Sequence, residues 1–203
     1  MPALTFWYEF ASTYSYLSAM RIEEVCRDAG IDLRWRPFLL GPIFKAQGWD
    51  SSPFNLYPAK GAYMWRDMER LTAAQGLPEF RKPDVFPQNG LLAARVATLG
   101  ADEPWGAEFT RAVYQGQFAD GATISDVGFL TSILSGIGLD AAHVLERAQT
   151  DAGVKARLRA STEAAVAVGV FGAPSFTTDD GELFWGDDRL DQAVAWAFTN
   201  DVG

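Results

Sequence analysis

The sequence of 203 residues contains one cysteine and one histidine, Cys26 and His143. A single cysteine excludes an internal disulfide framework, and one histidine with one cysteine cannot supply the several N and S ligands of a zinc site. Dithiol exchange is excluded as well, because it requires a Cys-x-x-Cys thiolate that the chain does not carry. No secretory signal pattern is recognisable in the first residues, so we expect a reducing, cytoplasmic location.

Positive charge is also scarce, since 17 lysines and arginines stand against 26 acidic residues and give a net charge of −9. Nucleic-acid binding needs a basic patch, which this balance argues against. No apolar run approaches the roughly 20 residues of a membrane-spanning helix. Apolar residues make up 48% of the chain, which is typical of a globular protein with a sizeable core. We therefore predict neither nucleic acid nor membrane as a partner.

The first forty residues predict a strand, a helix and a second strand. Residues 3–10 and residues 31–38 alternate in side-chain character, as strands do. Between them, residues 13–29 have apolar side chains at helical spacing, and Gly30 follows as a helix terminator. This order predicts a right-handed βαβ unit with parallel strands. Cys26 lies on the apolar face of the helix, where packing is the favoured interpretation rather than redox chemistry.

The middle of the chain, residues 58–169, shows helical patterns and no convincing strand. After it, residues 173–186 predict a hairpin that turns at Asp180-Gly181, and a last helix follows. The helical segments are expected near residues 90–99, 104–117, 126–135, 140–149 and 152–168, with Ser125 and Asp140 as N-caps.

This order, βαβ, helical block, ββα, predicts an α/β fold in two parts. Residues 1–57 plus 170–203 form one domain, and residues 58–169 form an all-helical insertion.

The loop before the first helix reads Ser12-Thr13-Tyr14-Ser15, at the place where thiol–disulfide oxidoreductases have Cys-x-x-Cys. A serine there can stabilise a thiolate supplied by a ligand. Lowering a thiol pKa by two units takes about 2.7 kcal/mol, and one hydrogen bond to a charged group supplies roughly 1.5–3 kcal/mol. The helix N-terminus adds to this. The alternative is that Ser12 is only an N-cap.

Five segments, "EFASTYSYLS", "PFLLGPIFKAQGW", "PAKGAYMWRDMERL", "GVFGAPSF" and "LFWGDDRL", carry a family resemblance in this order along nearly the whole chain. Together they resemble the 2-hydroxychromene-2-carboxylate isomerase family, which is similar to kappa-class glutathione transferases. The resemblance implies a thioredoxin-like α/β fold with a large helical insertion, as in DsbA-like proteins. It also implies glutathione as cofactor and a homodimer.

In that family glutathione lies between the first helix and a cis-proline loop, with a serine hydroxyl directed at its thiol. Carried over, the serine is Ser12, the cis-proline is Pro174, and Ala173 holds the cysteinyl backbone. Asp187 and Asp188 would meet the γ-glutamyl end, although the two acids also suit an N-cap and a first helical turn. The implied glutathione-binding residues are Ser12, Thr13, Tyr14, Ala173, Pro174, Asp187 and Asp188.

In many relatives of the kappa type, an Asn in a G-N-x-P-P segment binds glutathione. The corresponding segment reads "GWDSSPFN" here. Trp49 follows the glycine, and Asn55 lies further along. Together with Lys60 and Tyr63 they are the candidate substrate-binding residues, able to hold a carboxylate and an aromatic ring. A solvated lysine and packed aromatic rings are the alternative interpretation.

Three functions are compatible with the sequence. The first is glutathione-dependent isomerisation of a small aromatic hemiketal acid, with Ser12 holding a thiolate that adds to the substrate and later leaves. The second is a kappa-like glutathione transferase or peroxidase that uses the same thiolate on an external electrophile. The third is a non-catalytic binding protein of thioredoxin fold.

Overall fold

The described residues form one sheet of four strands, β1 (Ala3–Tyr8), β2 (Asp32–Pro37), β3 (Ser175–Thr178) and β4 (Leu183–Trp185), in the order β2-β1-β3-β4. The structure, a computed structural model, describes residues 1–199, and the end of the 170–203 segment lies outside the described residues. β1 is parallel to β2 and antiparallel to β3, and β3 is antiparallel to β4. The predicted parallel pair and the hairpin are confirmed.

Helix α1 (Thr13–Ala29) connects the two parallel strands. It starts at Ser12, whose side chain accepts a hydrogen bond from the N–H of Ser15. It ends at Gly30, which adopts a left-handed conformation with φ +69° and donates from its N–H to the carbonyl of Arg27. A residue without Cβ suits that conformation, so the predicted terminator is confirmed.

Cys26 is buried in the core on α1, and burial raises the pKa of its thiol to about 11. We expect Cys26→Ser to lower the free energy of unfolding by roughly 1–3 kcal/mol, because the new hydroxyl is buried without a partner. Urea denaturation measures this change. Turnover by the folded fraction should stay unchanged, and loss of turnover in fully folded protein would contradict a packing role.

Two helices between β2 and the helical block were not expected from the sequence, namely α2 (Leu40–Ala46) and α3 (Pro53–Leu56). Both are too short for a periodic apolar pattern to emerge. α3 depends on local signals instead, since Ser52 caps it by accepting from the N–H of Phe54 and a proline occupies its first turn.

Six helices follow before β3: α4 (Pro58–Ala74), α5 (Leu91–Gly100), α6 (Gly106–Phe118), α7 (Val127–Gly136), α8 (Ala141–Thr150) and α9 (Ala152–Ala167). Asp140 caps α8 as predicted, accepting from the N–H of His143, which is exposed. The N-cap prediction at Ser125 is wrong, because Asp126 caps α7 by accepting from the N–H of Phe129. The N–H of Asp126 donates to the carbonyl of Thr123, and this turn places Asp126 directly before the first residue of α7.

The helical block packs directly on the sheet and on α1. Tyr8 of β1 lies 6.4 Å, between ring centroids, from Tyr114 of α6, and its hydroxyl is hydrogen-bonded to Thr110 of the same helix. Phe10 contacts Tyr114 and Phe109 in the same cluster. The carboxyl end of β1 and the start of α1 are therefore held from the side of the insertion.

After β4, a short 3₁₀ turn (Asp187–Arg189) leads into α10 (Leu190–Thr199). Leu190, Ala193 and Ala197 are buried, Val194 is partly buried, and α10 packs against α1. Within residues 1–199 no helix is both long and apolar enough to cross a membrane.

Candidate active site

A cleft of about 1260 Å³ lies between the start of α1, the loop before β3, the turn after β4 and the helices α2 to α4. Its lining includes ten of the eleven sequence-predicted site residues, so residues far apart in the chain meet in one place. The ten are Ser12, Thr13, Tyr14, Trp49, Lys60, Tyr63, Ala173, Pro174, Asp187 and Asp188.

Ser12 joins the two sides of the cleft. Its hydroxyl donates to the carbonyl oxygen of Ala173 at 2.8 Å and accepts from the N–H of Ser15 at 3.2 Å. Ser12 is therefore an N-cap, but capping uses only an acceptor lone pair of its hydroxyl. The single hydroxyl proton points across the cleft toward the proline loop.

Ala173 and Pro174 are joined by a cis peptide bond, as predicted from the resemblance. The carbonyl of Pro174 accepts a hydrogen bond from the N–H of Gly186 at 3.0 Å, which ties this loop to the turn after β4. Gly172 packs under the indole of Trp185, where a Cβ would lie 2.5 Å from Nε1. A side chain at Gly172 would therefore push the indole aside.

Thr13 and Tyr14 contribute to the cleft in different ways. The Thr13 side chain is buried and its hydroxyl donates to Sδ of Met64 at 3.2 Å, so its main-chain N–H is the group left for a ligand. The Tyr14 hydroxyl donates to Asp67 at 3.0 Å. Burial and this neighbouring carboxylate raise the pKa of Tyr14, which keeps the phenol protonated.

The two aspartates after β4 differ in environment. Asp187 is buried and accepts from Ser18 at 2.8 Å and from Nε of Arg21 at 3.3 Å. Burial raises its pKa, and Arg21 and Ser18 act against that rise. The carboxylate of Asp188 is exposed and lies 3.6 Å from Arg189. Asp188 is therefore the acid more available to a ligand.

The outer wall includes aromatic side chains, the ammonium of Lys60 and the exposed carboxylate of Asp50. Trp49 packs on Phe44 at 5.6 Å between ring centroids, and the ammonium of Lys60 lies 4.9 Å from the ring centroid of Tyr57. Asn55, in contrast, does not line the cleft. Its amide donates to Ser51 and, at 2.8 Å, to the carbonyl of Phe86, which fastens the loop after α4.

Glu9 also lines the cleft and was not among the site residues predicted from the sequence. Its Oε2 accepts from the N–H of Ala11 at 3.0 Å, and burial raises its pKa to about 7. An acid at the end of an otherwise aromatic strand, three residues before Ser12, is the signal that could have identified it. Among residues 1–199, no cluster of three or more His, Cys, Asp or Glu is arranged to hold a metal ion.

The fold and the cleft define a class of protein: a thioredoxin-like domain with a helical insertion and a site between its first helix and its cis-proline loop. The model of the DSBA-like thioredoxin domain matches residues 3–195. A solved structure of 2-hydroxychromene-2-carboxylate isomerase superposes with a TM-score of 0.85 over 97% of this chain and 95% of the other, at 22% identity. The predicted fold class is confirmed.

Relatives in sequence specify the family. The 2-hydroxychromene-2-carboxylate isomerase of Sphingobium xenophagum is 30% identical over 93% of this chain and 94% of its own length. Glutathione S-transferase kappa 1 of Rattus norvegicus is 27% identical over 93% of this chain and 87% of its own length. The chain belongs to the DsbA-like thioredoxin family and, within it, to the 2-hydroxychromene-2-carboxylate isomerase family.

Proposed function

We propose that this protein is a glutathione-dependent isomerase of 2-hydroxychromene-2-carboxylate-type aromatic hemiketal acids. The observation that carries the proposal is the 2.8 Å hydrogen bond from Ser12 to Ala173, which puts a serine donor, a helix start and the cis-proline loop in one cleft. The similarity to named isomerases over nearly the full chain supports the choice of reaction.

The residues of the cleft fit glutathione. The start of α1 offers N–H groups that have no intrahelical acceptor, which suits a thiolate. The Asp188 carboxylate is available to an ammonium, and Ala173 lines the cleft, where we propose a backbone-to-backbone contact. Bound there, glutathione would supply a thiol that adds to the substrate and leaves again.

Ser12 has to exchange its partner to act on that thiol. A hydroxyl donates one hydrogen bond, and in this structure the acceptor is the carbonyl of Ala173. We propose that a ligand N–H takes over the carbonyl of Ala173 and releases the Ser12 hydroxyl for the sulfur. The bond from the N–H of Ser15 holds Ser12 in place during this exchange, because it uses the acceptor side of the hydroxyl.

The outer wall suits the second substrate. Trp49 and Tyr63 offer aromatic surface, and Lys60 supplies a positive charge for a carboxylate. The lysine is the one cation among the described residues that line the cleft, and it forms no ion pair with them. Lys60 can therefore bind the carboxylate of an aromatic acid whose ring lies against Trp49 and Tyr63.

A second candidate, glutathione transfer to an external electrophile, is favoured by the similarity to glutathione S-transferase kappa 1. Both reactions would use the same thiolate, so the product decides between them. The protein is incubated with 2-hydroxychromene-2-carboxylate, with and without glutathione, and the product is followed by absorbance and mass. We expect a spectral change at unchanged mass that requires glutathione and is not supported by S-methylglutathione.

Incubation with glutathione and 1-chloro-2,4-dinitrobenzene gives the contrasting result. A conjugate formed there, without isomerisation of the hemiketal acid, would overturn the isomerase proposal in favour of transfer. No product in either assay, despite glutathione binding, would support the non-catalytic alternative.

A further inference from the structure

Glu9 is fixed in the same turn as Ser12, but the proposed function does not use it. Its Oε2 accepts from the N–H of Ala11 at 3.0 Å. Its main-chain oxygen accepts from the N–H of Ser12 and from the hydroxyl of Tyr114, each at 2.9 Å. Side chain and backbone are therefore both held next to the start of α1.

The second carboxylate oxygen of Glu9, Oε1, lies beside Gly90, one of the residues that line the cleft. Glu9, Ser12 and Gly90 all line the cleft, and a Cβ placed on Gly90 would lie 3.3 Å from Oε1 of Glu9. Because Gly90 has no side chain, nothing from that residue covers the oxygen. Within the described part of the chain, Oε1 receives no hydrogen bond, so this atom can accept one from a ligand.

The surroundings of Glu9 are apolar or neutral. Tyr8 precedes it on β1 and Tyr114 faces it from α6, and burial raises the pKa of both phenols well above their usual value. Burial also raises the pKa of Glu9 to about 7, against a smaller lowering by the N–H of Ala11. A carboxyl with such a pKa exchanges protons near neutral pH. The other charged side chains that line the cleft are Asp50, Lys60, Asp67, Asp187 and Asp188.

We propose that Glu9 is the proton acceptor for the thiol of glutathione bound at Ser12. The inference rests on the proposed function. The Glu9 carboxylate takes the proton as the S–H bond breaks, and the electron pair of that bond stays on the sulfur. Negative charge thus moves from Glu9 to an atom held by Ser12 and the helix start, and the total charge in the cleft is unchanged. The proton returns to the sulfur when the thiol is re-formed.

Glu9→Gln separates this role from a structural one. The carbonyl oxygen of glutamine can accept the same hydrogen bond from the N–H of Ala11, so the turn is retained, but an amide cannot take up the proton. If Glu9 only fixed the turn, Glu9→Gln would behave as wild type. Asp50→Asn is the matched control, because it removes an exposed carboxylate from the outer wall of the same cleft.

The experiment is calorimetric titration with glutathione at pH 7.5 in buffers of different ionisation enthalpy, which counts the protons released on binding. We expect Glu9→Gln to release more protons than wild type, by up to about half a proton per site, because Glu9 no longer captures the thiol proton. Asp50→Asn should match wild type. With S-methylglutathione, which has no thiol proton, the difference between Glu9→Gln and wild type should be much smaller.

Two further readouts are expected. The absorbance of the bound thiolate in Glu9→Gln should be equal to or above that of wild type, since a neighbouring negative charge is removed. Turnover should nevertheless fall, because glutamine cannot take up the thiol proton and return it. The pH–rate profile of wild type should show an inflection near pH 7 from Glu9, and that inflection should be absent in Glu9→Gln. Equal proton release by wild type and Glu9→Gln, with glutathione bound to both, would overturn the role of Glu9 and leave the proposed function intact.

Absence of glutathione binding to wild type would overturn the proposed function instead. Should Glu9→Gln fail to fold, infrared difference spectra of wild type provide the test. Binding of glutathione, but not of S-methylglutathione, should produce a protonated-carboxyl band. Its absence would overturn the proposal without any variant.

Discussion

Replacing Ser12 by alanine should raise the pKa of the bound glutathione thiol by about one to two units, which corresponds to the loss of one charge-assisted hydrogen bond of roughly 1.5–3 kcal/mol. Turnover at neutral pH should fall tenfold or more and recover in part as the pH rises, because the thiolate fraction then increases again. Glutathione affinity should weaken only modestly, since contacts near Ala173 and Asp188 remain. Thiolate absorbance against pH, at saturating glutathione, measures the shift.

The control for Ser12→Ala has to remove a helix cap without touching the cleft. Ser12 caps α1, so its loss also costs about 1 kcal/mol of stability. Asp140→Ala removes the cap of α8 at an exposed position and should cost a similar amount with no change in thiol pKa. Superimposable titration curves for wild type and Ser12→Ala would show that Ser12 is a cap only.

The sequence predicted the elements that carry a strong local pattern. α1 and α8 combine apolar periodicity with a capping residue, and the hairpin has Asp180-Gly181 at its turn, where Gly181 has φ +86°. The helices α2 and α3 have too few residues for such a pattern, so tertiary contacts and one serine cap define them instead. The exact N-cap of α7 depends on a turn that moves the boundary by one residue.

Prediction of the site followed a similar division. The segments that carry the family resemblance were enough to predict that Ser12, Ala173 and Pro174 lie in one site, because each residue belongs to one of these segments. Glu9 belongs to one of these segments as well, but its raised pKa could not be predicted from the segment, because the shift is caused by burial in the folded protein. The different environments of Asp187 and Asp188 depend on Arg21, which belongs to a distant part of the chain.

Arg21 fixes the turn that carries both aspartates. Its Nη2 donates to the main-chain oxygen of Asp187 at 2.8 Å, Nε to the carboxylate at 3.3 Å, and Nη1 to Asp191 at 3.2 Å. The side chain of Arg21 is 25% exposed and that of Asp187 is 9% exposed. Asp187 is thus a largely buried acid with one cationic partner. The N–H of the preceding residue, Gly186, donates to the carbonyl of Pro174, so the same turn is tied to the cis-proline loop.

We expect Arg21→Met to lower the free energy of unfolding by roughly 2–4 kcal/mol, because it leaves a buried carboxylate without its cation. Arg27→Met, on the exposed face of the same helix, should cost only about 0–1 kcal/mol. The double variant Arg21→Met/Asp187→Asn should regain much of the loss, since no buried charge remains. Chemical denaturation of all four proteins measures these differences.

The pH dependence of the free energy of unfolding of Arg21→Met tests whether the unpaired Asp187 causes the loss of stability. Arg21 lowers the pKa of Asp187 against the effect of burial, so removing it raises that pKa further. A carboxyl with a folded-state pKa above its unfolded value of about 3.9 destabilises the protein as pH rises through the folded-state pKa. The deficit of Arg21→Met should therefore narrow as the pH falls from the folded-state pKa of Asp187 toward about 4, below which Asp187 is protonated in both states. A deficit that stays constant down to that pH would mean that lost packing, rather than the unpaired Asp187, destabilises the turn beside the cleft.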